Sequence, residues 1–283
     1  MPGNLFRRKL EQVARERWGS QAILSIPAPK PGVRLKYGPG RWHFGHLRLP
    51  PTPDPCPVVM NIHGGFWRSH YSLGHAGHLC QAITETGFAT WNIEYRRLGN
   101  PGGGWPGTLL DVAAALNYLR ELAAPYRLDL DKVIVMGHSA GGHLAAWLAA
   151  ASCLPPDSLC YPAGLLPVQG AIALAGVLDL RLASDLNLSG GVVRELLGGS
   201  PQQVPERYAA ASPLEMPLPK IPLVALHGTD DEIVPIEIAR RYVNAARNSG
   251  AAAELIELPA AHFELIDPQS AAWPFLRAAL LRL

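Results

Sequence analysis

The apolar run at residues 133–136 leads without a break into Gly137-His138-Ser139-Ala140-Gly141, and residues 142–151 continue as an alanine-rich, helix-like stretch. Where a strand turns this abruptly into a helix, backbone atoms crowd together. The residues two before and two after the tip must then lack side chains, which is the physical reason for glycines at 137 and 141. The residue at the tip, Ser139, is lifted out of the core. A chain with this unit is expected to build it into a sheet whose strands alternate with helices.

The rest of the chain repeats that alternation. Strand-like runs recur at 58–62, 88–94, 132–137, 170–175, 222–227 and 253–258, separated mostly by helical stretches at 73–85, 108–123, 140–151, 236–248 and 271–282. The pattern predicts an α/β architecture, a doubly wound and mainly parallel sheet with helices on both faces. Residues 33–37 and 44–49 are expected to add antiparallel edge strands. With 283 residues, 48% of them hydrophobic, the chain can bury one large core, so a single domain spanning 1–283 is expected. Within it, residues 1–20 read as an N-terminal helix. Residues 181–219 form the longest insertion between strands and read as a small cap or lid, with helical pieces near 192–197 and 205–210. The Pro- and Gly-rich stretch 97–107 reads as a loop.

Groups suited to acyl transfer cluster after the strands. The run 58–62 enters His63-Gly64-Gly65-Phe66-Trp67, where missing side chains let the N–H groups of Gly65 and Phe66 join that of Ala140 as an oxyanion hole. The run 222–227 is followed by Thr229-Asp230-Asp231-Glu232, and 253–258 by Ala261-His262-Phe263. A serine, then an acid, then a histidine, each just past a strand, is one of the chain orders in which nucleophile, orienting acid and base occur.

On these motifs the chain, from about residue 57 onward, resembles the α/β-hydrolase superfamily. The match is to its esterase branch with His-Gly-Gly motifs, which includes hormone-sensitive-lipase-like esterases and kynurenine formamidases. An aromatic residue and then Trp after the two glycines is typical of the formamidase-like members, and Asn92-Ile93-Glu94-Tyr95-Arg96-Arg97-Leu98 and Trp105-Pro106 followed by Asp111 also fit the branch. Phe66 replaces the third glycine of the lipase-type motif, and His138 stands where many lipase-like esterases have Asp. The resemblance implies Ser139 as nucleophile and His262 as its base. Asp231, five positions into His-Gly-x-x-Asp-x-x-Val-Pro, is implied as the orienting acid, with Asp230 as the alternative. Asp179 is a third candidate, read here as a helix N-cap.

His63, with no acid near it in sequence, is read with Gly64 as support for the oxyanion loop. Phe66, Trp67, Trp105 and His138 are the expected substrate-binding residues. Carboxylic ester hydrolysis through an acyl-serine is the first expectation, and aryl-formamide hydrolysis the alternative, with Trp67 and Trp105 flanking an aromatic leaving group. A peptidase of prolyl-oligopeptidase type lacks its propeller, and a non-catalytic ligand-binding homologue is opposed by the presence of serine, acid and histidine.

No cofactor is expected, and no metal. His70, His75 and His78, like His43 and His46, are joined by no cysteine or carboxylate in a ligand frame and read as surface or supporting groups. A net charge of +2 gives no field for nucleic acid, so the expected partner is a small ester or amide, with a homodimer left open. Residues 4–18 carry a basic, sparsely apolar face that reads as a docked helix rather than a stable membrane anchor. Without an apolar signal region or an 18-residue apolar run, a cytoplasmic location is expected, with Cys56, Cys80, Cys153 and Cys160 as free thiols.

Overall fold

Strands flanked by helices on both faces read as near-continuous apolar runs, and the middle strands here do so over their buried parts: β3 (Cys56–Ile62), β5 (Leu128–His138, buried from Val133 onward), β6 (Gly170–Leu174) and β7 (Leu223–Gly228). In the computed structural model, which describes residues 19–219 and 221–283, they form an eight-stranded sheet with β1 (Val33–Lys36), β2 (Phe44–Arg48), β4 (Ala89–Ile93) and β8 (Ala253–Leu258). The order is β1-β2-β4-β3-β5-β6-β7-β8. The two edge pairings, β1 with β2 and β2 with β4, are antiparallel, and all others are parallel. The helix expected at 4–18 lies outside the described residues.

Alternation along each strand sends side chains into two cores. Val58, Met60 and Ile62 face one layer with Leu116, Leu144 and Tyr242, whereas Val59, Ile134, Met136 and Leu226 face the other with Leu79, Ile83 and Leu276. The first layer is built from α2 (Gly107–Asn117), α3 (Leu119–Tyr126), α4 (Ala140–Ala151) and α8 (Glu237–Asn248), and the second from α1 (Gly77–Thr84) and α9 (Trp273–Arg282). Every residue of α4 is buried, and each large apolar side chain there contributes about 1.5–3 kcal/mol.

Three expectations change in detail. The helix predicted over 108–123 is two helices meeting at Tyr118, and the Asn117 side chain at that junction accepts the N–H of Leu166 at 2.7 Å. The stretch 73–85 opens as a 3-10 turn, Leu73–Ala76, before α1. Strand β5 begins at Leu128, because a register shift at Pro57/Val58 lets Leu128 and Asp129 pair with Cys56 and Pro57. The insertion 181–219 holds most of α5 (Leu180–Asp185) together with α6 (Val192–Leu197) and α7 (Pro205–Ala211), and Val192, Leu196, Leu197 and Tyr208 are buried in the first core. No helix among the described residues is long and apolar enough to cross a membrane.

The parallel register aligns the strand ends. Ile62 pairs with Gly137, His138 with Leu174, Leu174 with Leu226, and Gly228 with Leu258. The segments that follow β3, β5, β7 and β8 therefore emerge side by side at the carboxyl edge, where open α/β sheets hold ligands.

Candidate active site

Ser139 stands between β5 and α4 at φ 57 and ψ −118, a conformation that L-residues rarely adopt and that the surrounding packing must hold. The flanking glycines permit it. A Cβ on Gly137 would lie 2.2 Å from the Gly141 carbonyl oxygen, and one on Gly141 2.0 Å from that of Ile62. The Ser139 N–H donates to Leu174 O at 2.8 Å, and Ser139 O accepts the His143 N–H at 3.1 Å, which ties the turn to β6 and to α4.

His262 opens a 3-10 turn, His262–Ile266, shortly after β8, and its Nδ1 lies 2.6 Å from Asp231 Oδ2. Asp231 follows β7, and its side chain is fully enclosed. Its Oδ1 accepts the N–H groups of Ile233 and Val234, each at 2.8 Å, and its Oδ2 lies 3.4 Å from His227 Nε2, which also donates to Val234 O at 2.8 Å. Burial pushes the Asp231 carboxyl up, but hydrogen bonds from His227, His262 and the backbone outweigh it and hold the group well below the usual carboxylate range. Asp230 and Glu232 are exposed. Asp179 caps α5 by accepting the Leu182 N–H at 3.0 Å and pairs with Arg241.

The loop after β3 packs its backbone onto this serine. A Cβ on Gly64 would meet His138 O at 2.7 Å and Ser139 Cβ at 3.1 Å, while Gly65, at φ 113, has Tyr71 Cβ only 2.3 Å from where its own Cβ would be. Ala140 is the first residue of α4, so its N–H has no acceptor within the helix. Gly65, Phe66, Ser139, His138 and His262 line one cavity of about 20 Å³ together with Leu24, Tyr71, His75 and Phe263. A second cavity of about 240 Å³ reaches His262 from the side of Ser20, Gln21, Asp230 and Glu232.

His63 has an acid partner that its sequence neighbourhood does not reveal. Its Nε2 lies 2.9 Å from Glu94 Oε1, and its Nδ1 lies 2.7 Å from Gly64 O. Tyr95 stacks on the ring at 4.6 Å and donates its hydroxyl to His63 O at 2.8 Å. Glu94 also accepts the N–H groups of Tyr95 and Leu73 and pairs with Arg97 at 3.1 Å. Burial raises the Glu94 carboxyl, yet His63 and Arg97 bring it below its ordinary range. The pairing follows from register: Ile62 lies beside Ile93, so the next residues on each strand, His63 and Glu94, become neighbours.

Two expected substrate-binding residues are elsewhere. Trp67 is 0% exposed and meets the His143 ring edge-on at 5.2 Å, because positive φ at Phe66 and Trp67 turns the loop so that Phe66 reaches the cavity and Trp67 packs into the core. Trp105 is held by its backbone N–H to Leu196 O at 2.8 Å and lines a separate cavity of about 520 Å³ with Leu154, Leu159 and Arg207. His138 does reach the site: its Nε2 donates to His262 O at 3.0 Å, and the two rings lie 4.4 Å apart. Burial, with His262 and His75 nearby, holds the His138 imidazole well below its ordinary pKa.

His75, read from sequence as a surface or supporting group, lines the small cavity and is lowered to about 3 by burial and His63. His43 pairs with Asp111, and His70 packs on Tyr71. No group of three metal-ligating side chains occurs among the described residues. Tyr71, Phe263, His227 and Leu24 were not singled out by sequence. For His227 the available signal was its position opening the His-Gly-x-x-Asp segment; Leu24 carries none.

A doubly wound sheet with a strained serine turn after its central strand β5, and an acid and a histidine after its last two strands, β7 and β8, is the α/β-hydrolase fold. The chain belongs to the BD-FAE family, whose family model matches residues 47–245. Esterase LipQ of Mycobacterium tuberculosis is 31% identical over 240 residues, 81% of this chain and 56% of LipQ. The probable carboxylic ester hydrolase LipM of the same organism is 29% identical over 215 residues, 71% of this chain and 48% of LipM. The chain thus spans about half the length of the curated relatives it matches. Among solved structures, a truncated carbohydrate esterase from gut microbiota superposes with a TM-score of 0.77 at 22% identity, covering 90% of this chain and 96% of that one.

Proposed function

We propose that this protein is a serine hydrolase that cleaves a carboxylic ester of a small substrate. The observation that carries the reading is the convergence of Ser139, the Asp231-held His262 and the Gly65–Phe66 backbone on one cavity. In this reading the Ser139 hydroxyl attacks the ester carbonyl while His262 Nε2 takes its proton, and the N–H groups of Gly65, Phe66 and Ala140 receive the developing oxyanion. His262 then returns the proton to the departing alcohol, leaving an acyl-serine. Water, deprotonated by the same imidazole, attacks that acyl group and releases the acid. The names of LipQ and LipM support ester chemistry. The aryl-formamide alternative loses its aromatic pair, since neither Trp67 nor Trp105 lines the Ser139 cavity.

The test is kcat/KM for p-nitrophenyl acetate and for N-formyl-L-kynurenine on one preparation, with the Ser139→Ala rate subtracted from each. Ester turnover that falls by at least about 10³-fold in Ser139→Ala is expected. Preference for the formamide replaces the reading with an arylformamidase, and rates that Ser139→Ala leaves unchanged defeat the serine mechanism.

A further inference from the structure

The 3-10 turn Gly19–Leu24 precedes the sheet and lies outside the stretch matched by the family model, yet it supplies side chains to both cavities that meet at His262. It is firmly seated. Ala22 and Ile23, 1% and 3% exposed, enter the core that also holds Leu265, Ile266 and Leu280, and the N–H groups of Ser25 and Ile26 bond back to Ala22 O at 2.9 and 3.1 Å. With the buried pair facing inward, Ser20 and Gln21 line the cavity of about 240 Å³ beside Asp230 and Glu232, and Leu24 lines the cavity of about 20 Å³ with Tyr71 and Phe263.

The two cavities differ in what they can accept. The larger has Ser20, Gln21, Asp230 and Glu232 in its wall and is not lined by Ser139. The smaller is bounded by Gly65, Phe66 and Ser139, where an acyl group bonded to the serine must sit, and its volume holds little more than one water-sized group. Leu24 is 39% exposed, so packing of the core does not require a leucine there, and it lines the smaller cavity.

We propose that Leu24 is a specificity-determining residue that limits the acyl group to acetyl size. The proposal rests on the ester-hydrolase reading above. A methyl group beyond the carbonyl fits the cavity, whereas each further methylene needs space that the Leu24 side chain occupies. Truncation to alanine removes three of its carbon atoms and opens the wall, and a larger residue closes it.

The experiment measures kcat/KM for p-nitrophenyl acetate, butyrate and hexanoate on the full chain, comparing wild type with Leu24→Ala, Leu24→Trp and, as a control, Leu281→Ala, an exposed leucine of α9 that lines neither cavity. Wild type is expected to favour acetate over butyrate by more than about tenfold, a steric penalty of over ~1.4 kcal/mol. Leu24→Ala should reduce that ratio about tenfold by raising the butyrate rate, Leu24→Trp should enlarge it, and Leu281→Ala should keep it. An unchanged ratio in both Leu24 variants, or a wild type that takes butyrate as readily as acetate, overturns the proposal while leaving the ester reading standing. Absence of any ester turnover in wild type overturns both.

Discussion

Two adjacent aspartates offer themselves to His262, and only one is built for the task. Asp231 has both oxygens engaged, Oδ1 by two backbone N–H groups and Oδ2 by His262 with His227 behind it, whereas Asp230 is exposed. Asp231→Asn should therefore lower kcat by about 10³–10⁴-fold with KM little changed, since an amide no longer fixes the imidazole tautomer or stabilises its cation. Asp230→Asn should alter kcat less than about twofold. Steady-state kinetics of the two variants with p-nitrophenyl acetate separate these outcomes, and a larger loss in the Asp230 variant would reverse the assignment. His227 stands behind that carboxylate, with its Nε2 placed toward both Val234 O and Asp231 Oδ2.

At the scale of an element, the loop after β3 carries residues at φ 113, 55 and 54 and, in the proposed mechanism, must hold two N–H groups still. Glu94, backed by Arg97, and Tyr95, all in the segment after β4, clamp its first residue, His63. Glu94→Gln keeps the shape but removes the charge that pairs with nearly buried Arg97, so a stability loss of about 1–3 kcal/mol is expected. A loosened oxyanion loop should also cost about 10–100-fold in kcat while substrate binding changes less. Denaturant midpoints and a kcat against KM comparison check this: a destabilised variant with wild-type kcat would show that the clamp serves folding alone, and a variant unchanged in both would show that it serves neither. This element also marks the limit of what sequence discloses. The serine turn, the two glycines and the acid and histidine segments are legible because strand, turn and helix signals are local. The His63–Glu94 pair is not, because it depends on β3 lying beside β4 in one register across 31 residues. The burial of Trp67 depends on two positive φ values that no residue type there announces, and the placing of Leu24 at the Ser139 cavity depends on the segment 19–24 packing against the turn that carries His262 and Phe263.

At the scale of the whole molecule, the interior around the site holds several imidazoles that folding keeps neutral. Burial lowers His143 to about 4; burial with His63 nearby lowers His75 to about 3; and burial with His262 and His75 nearby takes His138 well below its ordinary value. In the unfolded chain each titrates near about 6.5. As pH falls through that value the unfolded state takes up protons that the folded state refuses, so stability is complete above about pH 6.5 and declines below it, until the folded pKa values are reached. Each histidine contributes a slope approaching about 1.4 kcal/mol per pH unit, so near pH 5 the three together remove about 4 kcal/mol for each further pH unit, a large fraction of a total stability of about 5–15 kcal/mol for an ordinary domain. Asp231 and Glu94, whose folded values are depressed, act in the same sense but only below about pH 4, where their unfolded forms protonate. Acid unfolding should therefore begin in the histidine window, well before the carboxylates titrate. Urea midpoints at pH 7.5, 6 and 5 should fall steadily. His143→Gln, which keeps a donor for Ala211 O but cannot titrate, should remove about a third of the decline. A midpoint constant between pH 7.5 and 5 would mean that these imidazoles accept protons in the folded state, and that the core around α4 and the site is more open to water than its packing implies.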